Sequence, residues 1–167
     1  MMELVADTSP IIFLAKVGKL ELLEDYALLV PSQVIAEVRR GKDEAEVIRI
    51  LDFLEKGRNV RIEEVPVLES LPEALGMGER AAISLAVRRK VLYILLDERR
   101  ARRVARVYGL KPRGTLWVLK DALRRGKLGR EEVVEVVFDL VKEGFRIREE
   151  LLAEFLQDVQ RYQDGGA

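Results

Sequence analysis

Histidine and cysteine are both missing from the 167 residues. Without them the chain has no thiolate nucleophile, no disulfide, no Ser-His-Asp triad and no Cys/His zinc site of its own. Acid–base chemistry near neutral pH is left to Asp, Glu, Lys or Tyr. A bound metal would have to be held by oxygen, which favours Mg²⁺, Mn²⁺ or Ca²⁺. Aromatic residues are scarce at 6%, so the core has to be built from Leu, Val, Ile and Ala. Charge of neither sign prevails, since Lys+Arg and Asp+Glu stand at 29 each. Any binding of a polyanion must therefore come from local patches and not from a global field. No apolar run has the length of a membrane span. The opening MMELVADTSP carries neither the charge nor the apolar stretch of a secretory leader, so a cytoplasmic protein without membrane attachment is expected.

Hydrophobic residues make up 49% of the chain, enough for a compact folded domain with a real core. Short apolar runs alternate with amphipathic helical stretches. Leu4–Ala6 reads as a strand stopping at Asp7, with Ser9 as the cap and Pro10 as the first residue of the next helix. Leu28–Val30 is a second strand, closed by Pro31, with Ser32 capping a helix whose apolar face includes Val34 and Val38. Val60–Val65 reads as a third strand. A connection over 66–78 precedes a helix from about Glu79 to Arg89. Val91–Leu96 is the strongest strand signal, a continuous apolar run that ends at Asp97.

Ala101, Val104, Ala105 and Tyr108 follow at helical spacing, with Gly109 as a stop. A short strand near Leu110–Pro112 leads to Gly114-Thr115 and a helix ending at Gly126. Helices over about 130–143 and 149–162 complete the pattern. The alternation predicts a parallel sheet with helices on both faces. One domain over 1–162 is expected, with 163–167 as a disordered tail.

Four acids occupy suggestive places. Asp7 and Asp97 each follow an apolar strand and precede a helix, and open parallel sheets bind ligands beyond the carboxyl ends of their strands. Taken singly, each also reads as an ordinary loop or cap aspartate. Glu37 lies about 60° from Val34 and about 100° from Val38 around its helix, on the rim of the apolar face; a solvated acid paired with Arg40 or Lys42 is the plainer reading. Glu79 tops the stripe Ala82, Ile83 and Ala86, and its charge also suits a helix amino terminus. Arg99, Arg102, Arg103 and Arg106 share one side of the helix after Asp97. They suit RNA phosphates, or equally a solvated basic face.

The sequence resembles the PIN-domain nucleases, in particular the branch allied to toxins of type II toxin–antitoxin pairs. The resemblance is carried by Val5-Ala6-Asp7-Thr8-Ser9-Pro10-Ile11-Ile12, by Val30-Pro31 leading to Val34-Ile35-Ala36-Glu37-Val38, and by Gly78-Glu79-Arg80-Ala81-Ala82-Ile83-Ser84-Leu85-Ala86. It continues through Leu95-Leu96-Asp97-Glu98-Arg99-Arg100-Ala101, Gly109-Leu110-Lys111 with Gly114-Thr115-Leu116, and Gly144-Phe145-Arg146-Ile147, so that it covers about residues 3–156. It implies a three-layer α/β/α fold with a central parallel sheet in the order 3-2-1-4-5.

It also implies an endoribonuclease dependent on Mg²⁺ or Mn²⁺, with Asp7, Glu37, Glu79 and Asp97 as catalytic acids. Asp7, Glu79 and Asp97 would be metal ligands, and Glu37 would orient or deprotonate the attacking water. Thr8, Ser9 and Thr115 match supporting polar positions. Two departures stand out: Glu79 where many toxin relatives carry Asp, and Glu98 where the branch often repeats Asp, leaving Glu98 an auxiliary acid. A small antitoxin partner and a homodimer are expected. The alternatives are an RNA-processing nuclease outside toxin–antitoxin biology and an inactive nucleic-acid-binding module. A receiver domain is disfavoured, because its paired acids after the first strand are missing.

Overall fold

The structure, a computed structural model, describes residues 1–162; the expected tail at 163–167 lies outside the described residues. Five strands form one parallel sheet: β1 (Glu3–Ala6), β2 (Ala27–Pro31), β3 (Val60–Glu63), β4 (Tyr93–Leu95) and β5 (Lys111–Arg113). Their order is β3-β2-β1-β4-β5, the order the resemblance implies. Register follows from the pairs Val5 with Leu29, Ala6 with Leu95, Val30 with Ile62, and Leu95 with Arg113.

Side-chain alternation along the strands builds two cores, one on each face. Leu4, Ala6, Leu28, Val30 and Leu95 point to the larger one. Val5, Leu29, Ile94 and Leu96 point to the smaller. Six helices cover the larger core: α1 (Thr8–Lys16), α2 (Ser32–Arg39), α3 (Glu44–Lys56), α6 (Thr115–Arg124), α7 (Arg130–Lys142) and α8 (Glu149–Arg161). The smaller is covered by α4 (Met77–Arg89), α5 (Arg99–Val107) and the connection carrying Val65, Leu71 and Leu75. Three layers result, with the central strands buried from both sides as continuous apolar runs require. Phe155 and Val159 of α8 enter the core, while Leu151 is exposed.

Several local expectations are corrected. Helix α1 begins at Thr8 with Asp7, not Ser9, in the capping position. Asp7 N–H still donates to Leu95 O at 3.1 Å, carrying the pairing with β4 one residue past the strand. Pro10 then falls in the first turn, where a missing N–H leaves no helical bond unmade. Likewise Pro31, not Ser32, stands at the cap of α2. The run Val91–Leu96 contributes only Tyr93–Leu95 to the ladder. Val91 instead donates to Ala86 O at 3.0 Å, closing α4 behind Lys90, whose φ of 54° is left-handed. β3 stops at Glu63 instead of reaching Val65, and β5 is shifted by one residue to Lys111–Arg113. Helix α3 and a 3-10 turn over Leu20–Asp25 were not anticipated.

Candidate active site

β1 and β4 are neighbours at the centre of the sheet, and the chain leaves them in opposite lateral directions. That reversal opens a crevice above their carboxyl ends. Asp7 leaves β1 and Asp97 follows β4 within this crevice, and helices α2 and α4 bring Glu37 and Glu79 to its rim. The sheet thus sets two of the acids directly, and helix packing supplies the others.

Asp7 is only 4% exposed, and its Oδ1 is buried without a hydrogen-bond partner among the described residues. Burial pushes its carboxyl up to about 8, partly offset by a backbone hydrogen bond from Thr8 and reinforced by negative charge on Glu79, Glu37 and Asp97. All three other acids therefore act electrostatically on Asp7, as expected of groups sharing one end of the sheet.

Glu37 is anchored at both oxygens. Thr8 Oγ1 donates to its Oε2 at 2.6 Å, and Gly78 N–H donates to its Oε1 at 2.7 Å. Its helix position on the rim of the apolar face is what lets it reach inward, and the anticipated pairing with Arg40 or Lys42 does not form among the described residues. Glu79 turns back to accept from Gly76 N–H at 2.8 Å, the half of a capping box that a glycine cap can join. Burial raises its carboxyl above the ordinary range, opposed by that Gly76 bond. Asp97 accepts from Thr115 twice, from N–H at 2.7 Å and from Oγ1 at 2.6 Å. Burial raises Asp97 too, and the two Thr115 bonds and Arg102 work against it.

The supporting residues separate clearly. Thr8 and the fully buried Thr115 hold acids in place. Ser9 makes no hydrogen bond to any of the acids among the described residues. Glu98 caps α5 by accepting from Ala101 N–H at 2.9 Å, so its carboxylate already serves the helix. Arg99, Arg103 and Arg106 are exposed on α5 and form no ion pair among the described residues. Arg102 differs from them: it is half-buried and donates to Leu96 O at 3.2 Å.

Two glycines complete the site, and the sequence assigns them no role beyond their place in the motifs. A β-carbon on Gly78 would come within 2.7 Å of Glu37 Oε2, 2.8 Å of Thr8 Oγ1 and 2.9 Å of Asp7 Oδ1. One on Gly114 would stand 2.8 Å from Arg102 Nη1 and 2.9 Å from Asp97 Oδ1. Both glycines are cradles whose missing side chains let the acids approach. Their dihedrals are ordinary, so only the tertiary neighbours reveal the need.

Among the described residues no three acids converge tightly enough to hold a metal ion as they stand. Three of the carboxylates are drawn toward Thr8, Thr115 and the N–H groups of Gly76, Gly78 and Thr115. The donor set nonetheless suits a hard cation: every candidate ligand is an oxygen, and one buried oxygen of Asp7 lacks a partner. Among the described residues no helix is long and apolar enough to cross a membrane.

A family model described as a PIN domain matches residues 3–161. A search of curated proteins finds no match.

Proposed function

Because the chain belongs to the PIN-domain family, whose members are generally nucleases, we propose that it is a metal-dependent endoribonuclease working through Asp7, Glu37, Glu79 and Asp97. The observation that carries the reading is Asp7: a carboxyl group buried beside three other acids, with one oxygen unpartnered. Such a group is costly as an anion unless a cation neutralises it. Asp7, Glu79 and Asp97 would hold Mg²⁺ or Mn²⁺, directly or through water. A divalent ion in such a site lowers the pKa of bound water and stabilises charge on phosphate oxygens.

The protein's own groups would do the rest. Thr115 fixes both oxygens of Asp97, so this carboxylate keeps one direction while substrate changes charge. Thr8 and Gly78 fix Glu37, which orients the attacking water and accepts its proton. Arg99, Arg103 and Arg106, on the helix that starts beside Asp97, offer unpaired cations to RNA phosphates. The absence of histidine agrees with this chemistry and disfavours an imidazole-based ribonuclease.

The reading extends to a toxin of a type II toxin–antitoxin pair acting in the cytoplasm, on the strength of the sequence motifs. Expression alone should then arrest growth, and a small co-encoded protein should relieve it; harmless expression would count against the toxin role while leaving the nuclease standing. For the nuclease itself, single-stranded RNA is incubated with purified protein in Mn²⁺ or in EDTA. Asp7→Asn and Asp97→Asn proteins are run alongside. Cleavage by the native protein in Mn²⁺ alone, lost in both variants, is expected. Equal cleavage by all three proteins, or cleavage undiminished by EDTA, would refute it.

A further inference from the structure

Four arginines follow one another along one side of α5, yet one of them behaves unlike the rest. Arg102 reaches back from the first turn of the helix to the carbonyl of Leu96, at 3.2 Å. Leu96 is fully buried. Its N–H is engaged by Arg113 O at 2.8 Å, the last ladder bond on that side of β4. Its carbonyl lies past the end of the strand, and Arg102 supplies its donor. A buried carbonyl left without one is costly. The same peptide unit runs into Asp97, so fixing this carbonyl fixes the plane from which the Asp97 side chain departs.

Gly114 shows how closely the parts are fitted. A β-carbon on it would crowd both the guanidinium and the carboxylate. The two groups form no direct ion pair among the described residues. Arg102 therefore acts on Asp97 through the backbone and through the field, and Thr115 holds the carboxylate by direct bonds.

We propose that Arg102 is a positioning residue for Asp97, orienting the Leu96–Asp97 peptide, and not one of the phosphate contacts on the basic face of α5. Its catalytic consequence rests on the nuclease reading above; its structural content does not. It divides the four arginines by task. Arg99, Arg103 and Arg106 face solvent, whereas Arg102 is half-buried and tied to the Leu96 carbonyl.

The test uses the full chain with Arg102→Gln, Arg102→Lys and, as a comparison, Arg103→Gln. Hydrogen exchange of the Thr115 amide is read on metal-free protein without RNA. Arg102→Gln should speed that exchange by roughly tenfold, in line with loss of a buried hydrogen bond. Arg102→Lys, which retains the charge on a single donor nitrogen, should fall between it and the native protein. This also serves if the glutamine variant does not fold.

RNA affinity and its salt dependence are read next. Arg102→Gln should leave the slope of log affinity against log salt unchanged and lower kcat at saturating RNA. Arg103→Gln should reduce the slope by about one and raise KM. Unchanged Thr115 exchange in Arg102→Gln, or a slope reduced by about one, would overturn the proposal. Failure of the native protein to cleave RNA in Mn²⁺ would overturn the nuclease reading alone, because the exchange measurement needs neither metal nor RNA.

Discussion

Replacing Asp7 by Asn should make the metal-free protein more stable and the metal-loaded protein less so. The carboxyl group of Asp7 ordinarily titrates at 3.8, and burial lifts it to about 8 in the folded chain. Between those values the folded state holds a proton that the unfolded state has lost. The unfolded state thus binds fewer protons, and stability falls as pH rises through the window from about 4 to about 8. Each pH unit in that window costs about 1.4 kcal/mol. By pH 7 the accumulated penalty approaches about 4 kcal/mol, treating Asp7 as an isolated group.

Asp7→Asn keeps the shape and removes the charge. In EDTA at pH 7 it should raise the unfolding free energy by up to about 4 kcal/mol, with the advantage shrinking toward pH 4. Glu79 and Asp97 are shifted the same way and remain in both proteins, so their own burial cancels in the difference, which reads Asp7 together with its coupling to them. Mn²⁺ should reverse the order. A ligand beyond one thousand times its dissociation constant stabilises the folded state by more than about 4.1 kcal/mol, enough to exceed the Asp7 penalty, and only the native protein would bind it well. Urea unfolding from pH 4.5 to 8.5, with EDTA or with Mn²⁺, reads both effects. A variant less stable than the native protein in EDTA at pH 8 would refute the argument. So would native metal-free stability that climbs relative to the variant between pH 5 and 8.

Two further outcomes follow from packing. Gly78→Ala should cost about 1–3 kcal/mol through crowding and lower RNA cleavage at least tenfold, because the added carbon meets Glu37, Thr8 and Asp7 together; unaltered cleavage would show that this cradle is dispensable. Asp121 accepts hydrogen bonds from the buried Tyr26 hydroxyl and from Arg125, and these partners hold its carboxyl below the usual range despite burial. Asp121→Ala should therefore cost about 1–3 kcal/mol at pH 7. The charge-dependent part of that loss should fade as pH drops through the carboxylate range, the opposite pH sense to Asp7. A loss undiminished at low pH would assign the effect to packing.

Asp7 and Asp97 were legible in the sequence because the end of an apolar run marks the end of a strand, and parallel strands share one carboxyl edge. Glu37 and Glu79 were legible only as rim positions: angular spacing places a side chain around a helix but does not say that Thr8 or Gly76 will receive it. Helix α3 escaped notice because its many charges leave only Ile50 and Leu54 buried. The run Val91–Leu96 overstated its strand because apolar residues serve equally well in closing a helix. The role of Gly78 and Gly114 was not legible, since a need for empty space depends on neighbours far away in sequence. Arg102 was grouped with three exposed arginines for a similar reason, its partner Leu96 lying outside the helix that sets its spacing.

The sheet order has a consequence for how the protein is made. Asp7 follows a strand whose neighbour β4 is supplied some ninety residues later, and Asp97 waits for Thr115. During synthesis the early acids therefore exist for some ninety residues without their counterparts. Pairing of distant segments is slow to nucleate compared with local helix formation. A ribosome-bound fragment lacking β4 and α6 holds acids but no crevice. If the finished protein cuts RNA, its activity is withheld until nearly all the sheet has been delivered, and the ribosome making it is not exposed to a partly assembled nuclease.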